Sequence, residues 1–162
     1  MKFLADGMLG KLTRWLRMLG QDVKYSVQLG DDELLVMAKT ENRVLLTKDF
    51  ELYQRAITRG IDGYYVEGKN EAERLAELAK RYGLTLEVNM EESYCPRCNT
   101  KLKAASKEQV KSDVEKNTYL YYDKFWKCPN CAHVYWQGAH WNQINAILKQ
   151  AKEDLKKKCG LN

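Results

Sequence analysis

Two Cys-x-x-Cys pairs constrain the fold of this 162-residue chain more than any other feature of its sequence. Cys95 and Cys98 form the first pair, Cys128 and Cys131 form the second, and 29 residues separate the two pairs. Each tight turn brings two thiolates together, so two such pairs can surround one metal ion tetrahedrally. Four thiolates leave no position for water. We therefore expect a structural zinc site that stabilises a segment too small to have its own core.

The same four thiolates are compatible with a second metal. A Cys-Pro-x-Cys turn also suits a rubredoxin-like iron centre, because a tetrahedral set of thiolates does not distinguish zinc from iron. Such a centre would make the protein an electron carrier, and its colour would separate it from colourless zinc. Disulfides are not expected, since thiols stay reduced inside cells. The fifth cysteine, Cys159, is expected to be a surface residue near the end of a helix.

The first half of the chain alternates short apolar segments with amphipathic ones. Strand-like segments are predicted at residues 2–5, 23–27, 44–47, 63–66 and 84–88. Helical periodicity follows the first four of them, at residues 8–19, 30–40, 49–59 and 71–82. Strands that alternate with helices of about 10–15 residues predict βαβ units and a parallel sheet, which places the chain in the α/β class.

The second half loses this alternation. Residues 118–126 are aromatic and β-prone, residues 133–136 are typical of a returning strand, and residues 142–158 have the period of an amphipathic helix. We therefore divide the chain into an α/β domain, residues 1–90, and a small β-rich, four-cysteine zinc ribbon with a C-terminal helix, residues 91–162.

Composition and charge exclude several classes of protein. Apolar residues make up 44% and charged residues 30%, which is typical of globular rather than disordered chains. No apolar run approaches the roughly 20 residues of a membrane span, and the N-terminus lacks the pattern of a signal peptide, so we expect a soluble cytoplasmic protein with no membrane partner. The net charge of +5 falls entirely within residues 91–162. A polyanionic partner would explain it, and a solvated lysine-rich surface explains it more simply.

Aspartates follow three of the predicted strands. Asp6 follows the first strand and Asp49 the third, while Asp31 and its neighbour Asp32 follow the second. Parallel strands end at one edge of a sheet, where α/β proteins bind ligands. Carboxylates gathered there need a cation between them, which favours Mg²⁺ or Mn²⁺ and hydrolysis of a phosphodiester. Each aspartate also precedes a helix, and Asp is a preferred N-cap, so helix capping explains the same pattern without a metal.

Basic side chains near these strand ends are candidates for contact with a phosphate backbone. Lys11, Arg14 and Arg17 recur at i, i+3 and i+6 and form one stripe of the first helix, and Lys48 precedes Asp49. A cationic stripe beside an acidic cleft can guide a phosphate backbone, and the solvated face of an amphipathic helix explains it equally well. Aromatic residues among the lysines of the second half can stack on bases, but we expect most of them to form the ribbon's core.

Several segments together resemble the Mut7-C RNase domain family, over residues 2–147. They are FLADGMLGKLTRWLRMLG at 3–20, DDELL at 31–35, LLTKD at 45–49, the two cysteine pairs, and VYWQGAHW at 134–141.

The resemblance implies a PIN-like nuclease domain, with a mostly parallel sheet flanked by helices, fused to a zinc ribbon. The family's acidic positions correspond to Asp6, Asp31 and Asp49, with Asp32 as a neighbouring acid and Glu67 as a candidate fourth acid. A member of this family would be a metal-dependent ribonuclease with Mg²⁺ or Mn²⁺ at the carboxylates and RNA as its substrate. The competing hypothesis is a non-catalytic module of the same fold that binds RNA or a protein.

Overall fold

The protein is described by a computed structural model that covers residues 1–160. Its larger sheet contains four parallel strands: β1 (Lys2–Ala5), β2 (Asp22–Tyr25), β3 (Val44–Thr47) and β4 (Gly63–Tyr65). Each strand is followed by a helix: α1 (Gly10–Met18), α2 (Asp31–Thr40), α3 (Phe50–Thr58) and α4 (Glu71–Tyr82). The strand order is β2-β1-β3-β4, which confirms the predicted α/β class with a mostly parallel sheet flanked by helices.

The sheet carries a hydrophobic core on each of its faces because successive side chains of a strand point to opposite sides. Phe3 and Leu46 belong to the core that contains α1 and α4, whereas Leu4 and Leu45 belong to the core that contains α2 and α3. Strand β3 is buried along its whole length, as expected for a central parallel strand. The connections that follow the strands therefore lie together at the carboxyl edge of the sheet.

The second half contains a small antiparallel sheet. Its strands are β5 (Lys103–Ala105), β6 (Phe125–Lys127) and β7 (Val134–Tyr135), in the order β5-β6-β7. Two short helices, α5 (Lys107–Val110) and α6 (Lys116–Tyr121), connect β5 to β6, and α7 (Trp141–Lys158) follows β7. A β-rich segment around the cysteines and a C-terminal helix were both predicted, and both are confirmed.

Two predicted strands are wrong in whole or in part. Residues 84–88 form no strand: Leu84 and Leu86 are buried in the core beside α4 as irregular chain. Most of residues 118–126 lies in α6 or in the turn after it, and only the last two belong to β6. Helix α6 buries none of its residues, and strand propensity depends on packing against neighbours more than on residue type, so aromatic content alone does not make this segment a strand.

Helix α7 packs against the helices of the larger sheet although it follows the small antiparallel sheet in sequence. Leu148 and Ala151 are buried in the same core as α1 and α4. At the periphery, Lys152 of α7 forms an ion pair with Glu87 at 3.1 Å. No helix within residues 1–160 combines the length and the apolar character needed to cross a membrane.

Candidate metal centre and carboxylate edge

The four paired cysteines converge on one point. Their sulfur atoms all lie within 4.8 Å of one another, with 3.7 Å between the Sγ atoms of Cys95 and Cys131 and 3.4 Å between those of Cys98 and Cys128. Zinc–sulfur bonds of about 2.3 Å in a tetrahedron place thiolates about 3.8 Å apart, so this spacing fits a zinc ion. The group can therefore hold a metal with four thiolate ligands.

Both cysteine turns have the same backbone geometry. The amide of Asn99 donates to the carbonyl of Cys95 at 2.9 Å, and the amide of Ala132 donates to the carbonyl of Cys128 at 3.0 Å. Asn99 and Ala132 both adopt a left-handed conformation with φ of 65°. We call these turns the first knuckle (residues 95–99) and the second knuckle (residues 128–132).

The environment of Cys98 favours the thiolate that a metal requires. Its partial burial raises the pKa, but hydrogen bonds with Thr100 and Asn130, among others, outweigh this effect and lower the pKa of Cys98 to about 6. A thiol with a normal pKa of 9.0 would be mostly protonated at neutral pH. Cys131 is shifted the other way: a backbone hydrogen bond at His133 lowers its pKa, but desolvation and hydrogen bonds with the other three cysteines outweigh it and raise the pKa to about 12.

Arg17 joins the first knuckle to the sheet. Its Nε and Nη2 donate to the carbonyl of Val23 at 2.9 and 2.7 Å, and its Nη1 donates to the carbonyl of Pro96 at 2.9 Å. Arg17 is buried, whereas its predicted neighbours in the stripe, Lys11 and Arg14, are exposed. Burial lowers the pKa of Arg17, and the nearby cysteine thiolates offset part of that effect. The three cations therefore do not form one solvated stripe.

At the carboxyl edge of the sheet, the hydroxyl of Thr47 connects two of the predicted acids. It donates to Asp6 Oδ2 and accepts from the backbone amide of Asp49 at 2.9 Å. The other carboxylate oxygen of Asp6 accepts from the amide of Met8 at 3.0 Å. Asp6 is only 6% exposed, and no lysine or arginine within residues 1–160 forms an ion pair with it. A buried carboxylate that lacks an ion-pair partner can be stabilised by a bound cation.

The remaining aspartates are placed differently. Asp49 is exposed and caps α3, where its Oδ1 accepts from the amide of Leu52 at 3.2 Å. Asp31 lies in the first turn of α2 and forms an ion pair with Arg55 at 3.6 Å. Asp32 also pairs with Arg55. Of these strand-end aspartates, only Asp49 is a helix N-cap: the N-cap of α1 is Leu9 and that of α2 is Gly30, and Asp31 and Asp32 pair with Arg55 instead.

The three predicted catalytic aspartates do not assemble as closely as the cysteines do. Among residues 1–160, the potential metal ligands that gather in a group of three or more are the four cysteines, whose donor atoms all lie within 4.8 Å of one another. Asp6 and Asp49 are linked through Thr47, and Asp31 is held by an arginine of α3. Lys48, between Thr47 and Asp49, is half-buried.

Glu77, which the sequence analysis did not single out, occupies the position next to Glu67. Its two carboxylate oxygens accept from the amides of Glu67 and Gly68, each at 2.8 Å. Burial raises the pKa of Glu77 despite these two bonds. The Glu67 side chain itself is exposed. A glutamate between the buried residues Ala76 and Leu78 of α4 is the sequence signal that could have identified it.

Comparison with known proteins identifies one family. The model of the Mut7-C RNAse domain matches residues 1–148. Comparisons with curated proteins and with solved structures gave no match. The matched region contains the strand-end aspartates, Thr47 and all four clustered cysteines. Because the match covers most of the chain, the protein belongs to the Mut7-C RNAse domain family.

Proposed function

We propose that this protein is a metal-dependent ribonuclease that hydrolyses phosphodiester bonds at the carboxyl edge of its sheet. Membership of an RNase domain family supports a nuclease-like role. The observation that carries the proposal is the buried Asp6 carboxylate, which has no ion-pair partner among the described residues and is joined through Thr47 to the backbone amide of Asp49. Capping alone does not explain it, because Asp6 is not the N-cap of α1.

The chain's own residues would divide the work as follows. Asp6 and Asp49, with Asp31 as the third acid, would hold Mg²⁺ or Mn²⁺, and Asp32 and Glu67 remain candidate additional acids. A bound divalent ion supplies charge neutralisation at the phosphate and a water of lowered pKa. Thr47 fixes the orientation of the Asp6 carboxylate.

The basic residues have different roles in this proposal. Lys11, Arg14 and Lys48 would bind the phosphate backbone of RNA. Arg17 would position the first knuckle, since its donors already bind protein carbonyls. The four cysteines would hold a structural zinc ion, in line with their sulfur–sulfur spacing.

A cleavage assay with charge-removing variants tests the proposal. Protein stripped of Mg²⁺ and Mn²⁺, with zinc retained, is incubated with labelled RNA before and after Mn²⁺ or Mg²⁺ is added. We expect Asp6→Asn and Asp49→Asn to abolish cleavage while zinc content and melting temperature stay unchanged. Asn caps helices about as well as Asp, so Asp49→Asn removes the charge and retains the cap.

Asp62→Asn is the matched control. Asp62 is an exposed aspartate that directly precedes β4 and therefore lies at the opposite edge of the same sheet. This variant should cleave like the wild type. If Asp6→Asn instead lowers stability by about 1 kcal/mol and leaves cleavage intact, the aspartates are structural. If RNA binds to every variant and none of them cleaves it, the protein is a binding module.

A further inference from the structure

A cleft of about 450 Å³ lies between α1 and the first knuckle. Four of its eight lining residues are cations and none is a carboxylate. The cations are Lys11, Arg14, Arg17 and Arg97. Lys11 and Arg14 come from the larger domain, while Arg97 lies between the two cysteines of the first pair. The cleft is therefore positively charged on both of its walls.

Three of these cations are available to a ligand. Lys11, Arg14 and Arg97 are exposed, and none of them forms an ion pair with a carboxylate of residues 1–160. Arg14 and Arg17 line the same cleft and lie three residues apart on α1, so their charges are close to each other. Like charges held near each other in this way are stabilised by an anion bound between them.

The cleft adjoins the carboxylate edge. Tyr25 lines the cleft, and its hydroxyl donates to the carbonyl of Gly7 at 2.9 Å. Gly7 directly follows Asp6. An RNA strand held in the cleft would therefore lead toward the acids proposed to cleave it, and the Tyr25 ring offers a face on which a base can stack.

The four thiolates do not cancel the charge of this cleft. With one divalent ion they carry a net charge of about −2, and the buried guanidinium of Arg17 lies between them and the sheet. The Arg97 side chain is exposed, and its Nη1 lies 3.2 Å from Nδ1 of His133. The exposed part of the cleft thus remains cationic.

We propose that this cleft binds the phosphate backbone of the RNA strand, with Arg97 supplied by the metal knuckle as a contact that no motif assigns. The proposal rests on the proposed ribonuclease function and adds a substrate-binding site to it. Besides stabilising the cysteine segment, the metal would then fix the loop that presents Arg97 opposite Lys11 and Arg14. The structural zinc site would contribute to RNA affinity without taking part in cleavage.

Binding of single-stranded RNA, measured without Mg²⁺ or Mn²⁺ and with zinc retained, tests this site. The dissociation constant of a labelled oligonucleotide is measured over a series of salt concentrations. We expect Arg97→Ala to weaken binding and to reduce the slope of log K against log salt by about 0.7, the value for one phosphate contact with a single strand. Arg97→Lys should retain most of the slope, since it retains the charge.

Lys149→Ala is the matched control, because it also removes one positive charge. Lys149 is exposed on α7 and forms no ion pair within the described chain. This variant should bind RNA like the wild type. Equal weakening by Arg97→Ala and Lys149→Ala would reduce the effect to overall charge and overturn the proposal, as would unchanged binding in Arg97→Ala. Zinc content and melting temperature verify that the knuckle stays folded.

The outcomes separate this inference from the proposed function. If the wild type cleaves RNA and Arg97→Ala binds RNA normally, the cleft proposal fails and the nuclease stands. If Asp6→Asn cleaves as well as the wild type and Arg97→Ala loses affinity, the assigned active site fails and the cleft stands. If RNA does not bind and a polyglutamate peptide binds in an Arg97-dependent way, the occupant is an acidic protein segment and the proposal is overturned.

Discussion

At the residue scale, the hydroxyl of Thr47 is the connection on which the carboxylate edge depends. We predict that Thr47→Val, which keeps the shape of the side chain, destabilises the protein by about 1–2 kcal/mol because Asp6 loses a donor and the amide of Asp49 loses an acceptor. Cleavage should fall by about 10- to 100-fold through misplaced carboxylates. Denaturant unfolding and the RNA assay measure the two effects.

Thr58→Val provides the control for this prediction. The Thr58 hydroxyl binds the carbonyl of Gln54 on the exposed side of α3, away from the strand ends. This variant should change stability little and should leave cleavage unchanged. If Thr47→Val cleaves RNA at the wild-type rate, the hydroxyl does not orient the acids.

At the residue scale, Glu77 makes the stability of the folded protein depend on pH. Its pKa is raised in the folded protein, so the folded state binds a proton more readily than the unfolded chain. The stabilising contribution is therefore fully present below the normal value of 4.5 and is lost as the pH rises through the raised pKa. We predict that the wild type loses stability relative to Glu77→Gln as the pH rises above 4.5 and through the raised pKa, as followed by denaturant unfolding at each pH.

Glu73→Gln is the matched variant for this pH effect. Glu73 lies in the same helix and accepts from the backbone amide of Lys69 at 2.8 Å, but it is not buried. Its substitution should leave in place the pH-dependent loss of stability that Glu77 causes. Parallel pH profiles for the wild type and Glu77→Gln would show that the buried carboxyl titrates normally.

The sequence reveals residue types at strand ends more readily than it reveals their partners. Helical spacing placed Arg17 in one stripe with Lys11 and Arg14, either a surface that guides a phosphate backbone or a solvated face. Arg17 is instead buried by contacts with a carbonyl of β2 and one of the first knuckle, 79 positions later in the chain. Thr47 was likewise predicted only as the last residue of a strand, with no hydrogen-bond partner assigned. Such contacts depend on tertiary distances, which local periodicity does not contain.

At the element scale, helices and strands were predicted correctly where burial of one face imposes a regular spacing of apolar residues. The segments assigned to β1, β3 and α4 match the structure because each has a continuous apolar face. The prediction failed at α6, where exposed Leu120 and Tyr121 have no core to pack against. Without burial, aromatic content does not distinguish a helix from a strand.

Helix α7 supplies the prediction at this scale. Leu148 is buried against α4, whereas the adjacent Ile147 is 36% exposed. We predict that Leu148→Ala lowers the free energy of unfolding by about 2–5 kcal/mol, because the core cannot close the cavity fully. Ile147→Ala should cost clearly less. Equal losses in denaturant unfolding would mean that α7 does not contribute to the main core.

At the scale of the whole molecule, the division at residue 90 stays a prediction. The contacts that cross it are specific: the amide of Val23 donates to Oδ1 of Asn99 at 2.9 Å, and the hydroxyl of Ser93 donates to the carbonyl of Met18 at 2.6 Å. Helix α7 then returns to the larger domain. A change in composition along the sequence located the cysteine segment, but it did not indicate how tightly that segment is attached.

The way the cysteine segment is attached to the rest of the protein determines how removal of the metal should affect the structure. Trp126 is buried against Cys95 and Cys128 in the small core of the ribbon, so it contributes a signal from that core to the emission of the chain's four tryptophans. We predict that chelation shifts tryptophan emission to the red and exposes residues 91–140 to protease, because a core of this size depends on its metal. The larger domain should keep its helical circular dichroism, since its two cores contain none of the cysteines.

Two cysteine variants separate metal loss from thiol chemistry. Cys98→Ser removes a ligand of the cluster and should reproduce the effects of chelation, whereas Cys159→Ser removes the exposed cysteine at the end of α7 and should behave like the wild type. Arg17 would then lose its knuckle carbonyl, so the Cys98→Ser protein should also melt at a lower temperature. Unchanged fluorescence and protease resistance after chelation would mean that contacts with β2 and α1 hold the knuckle in place without a metal.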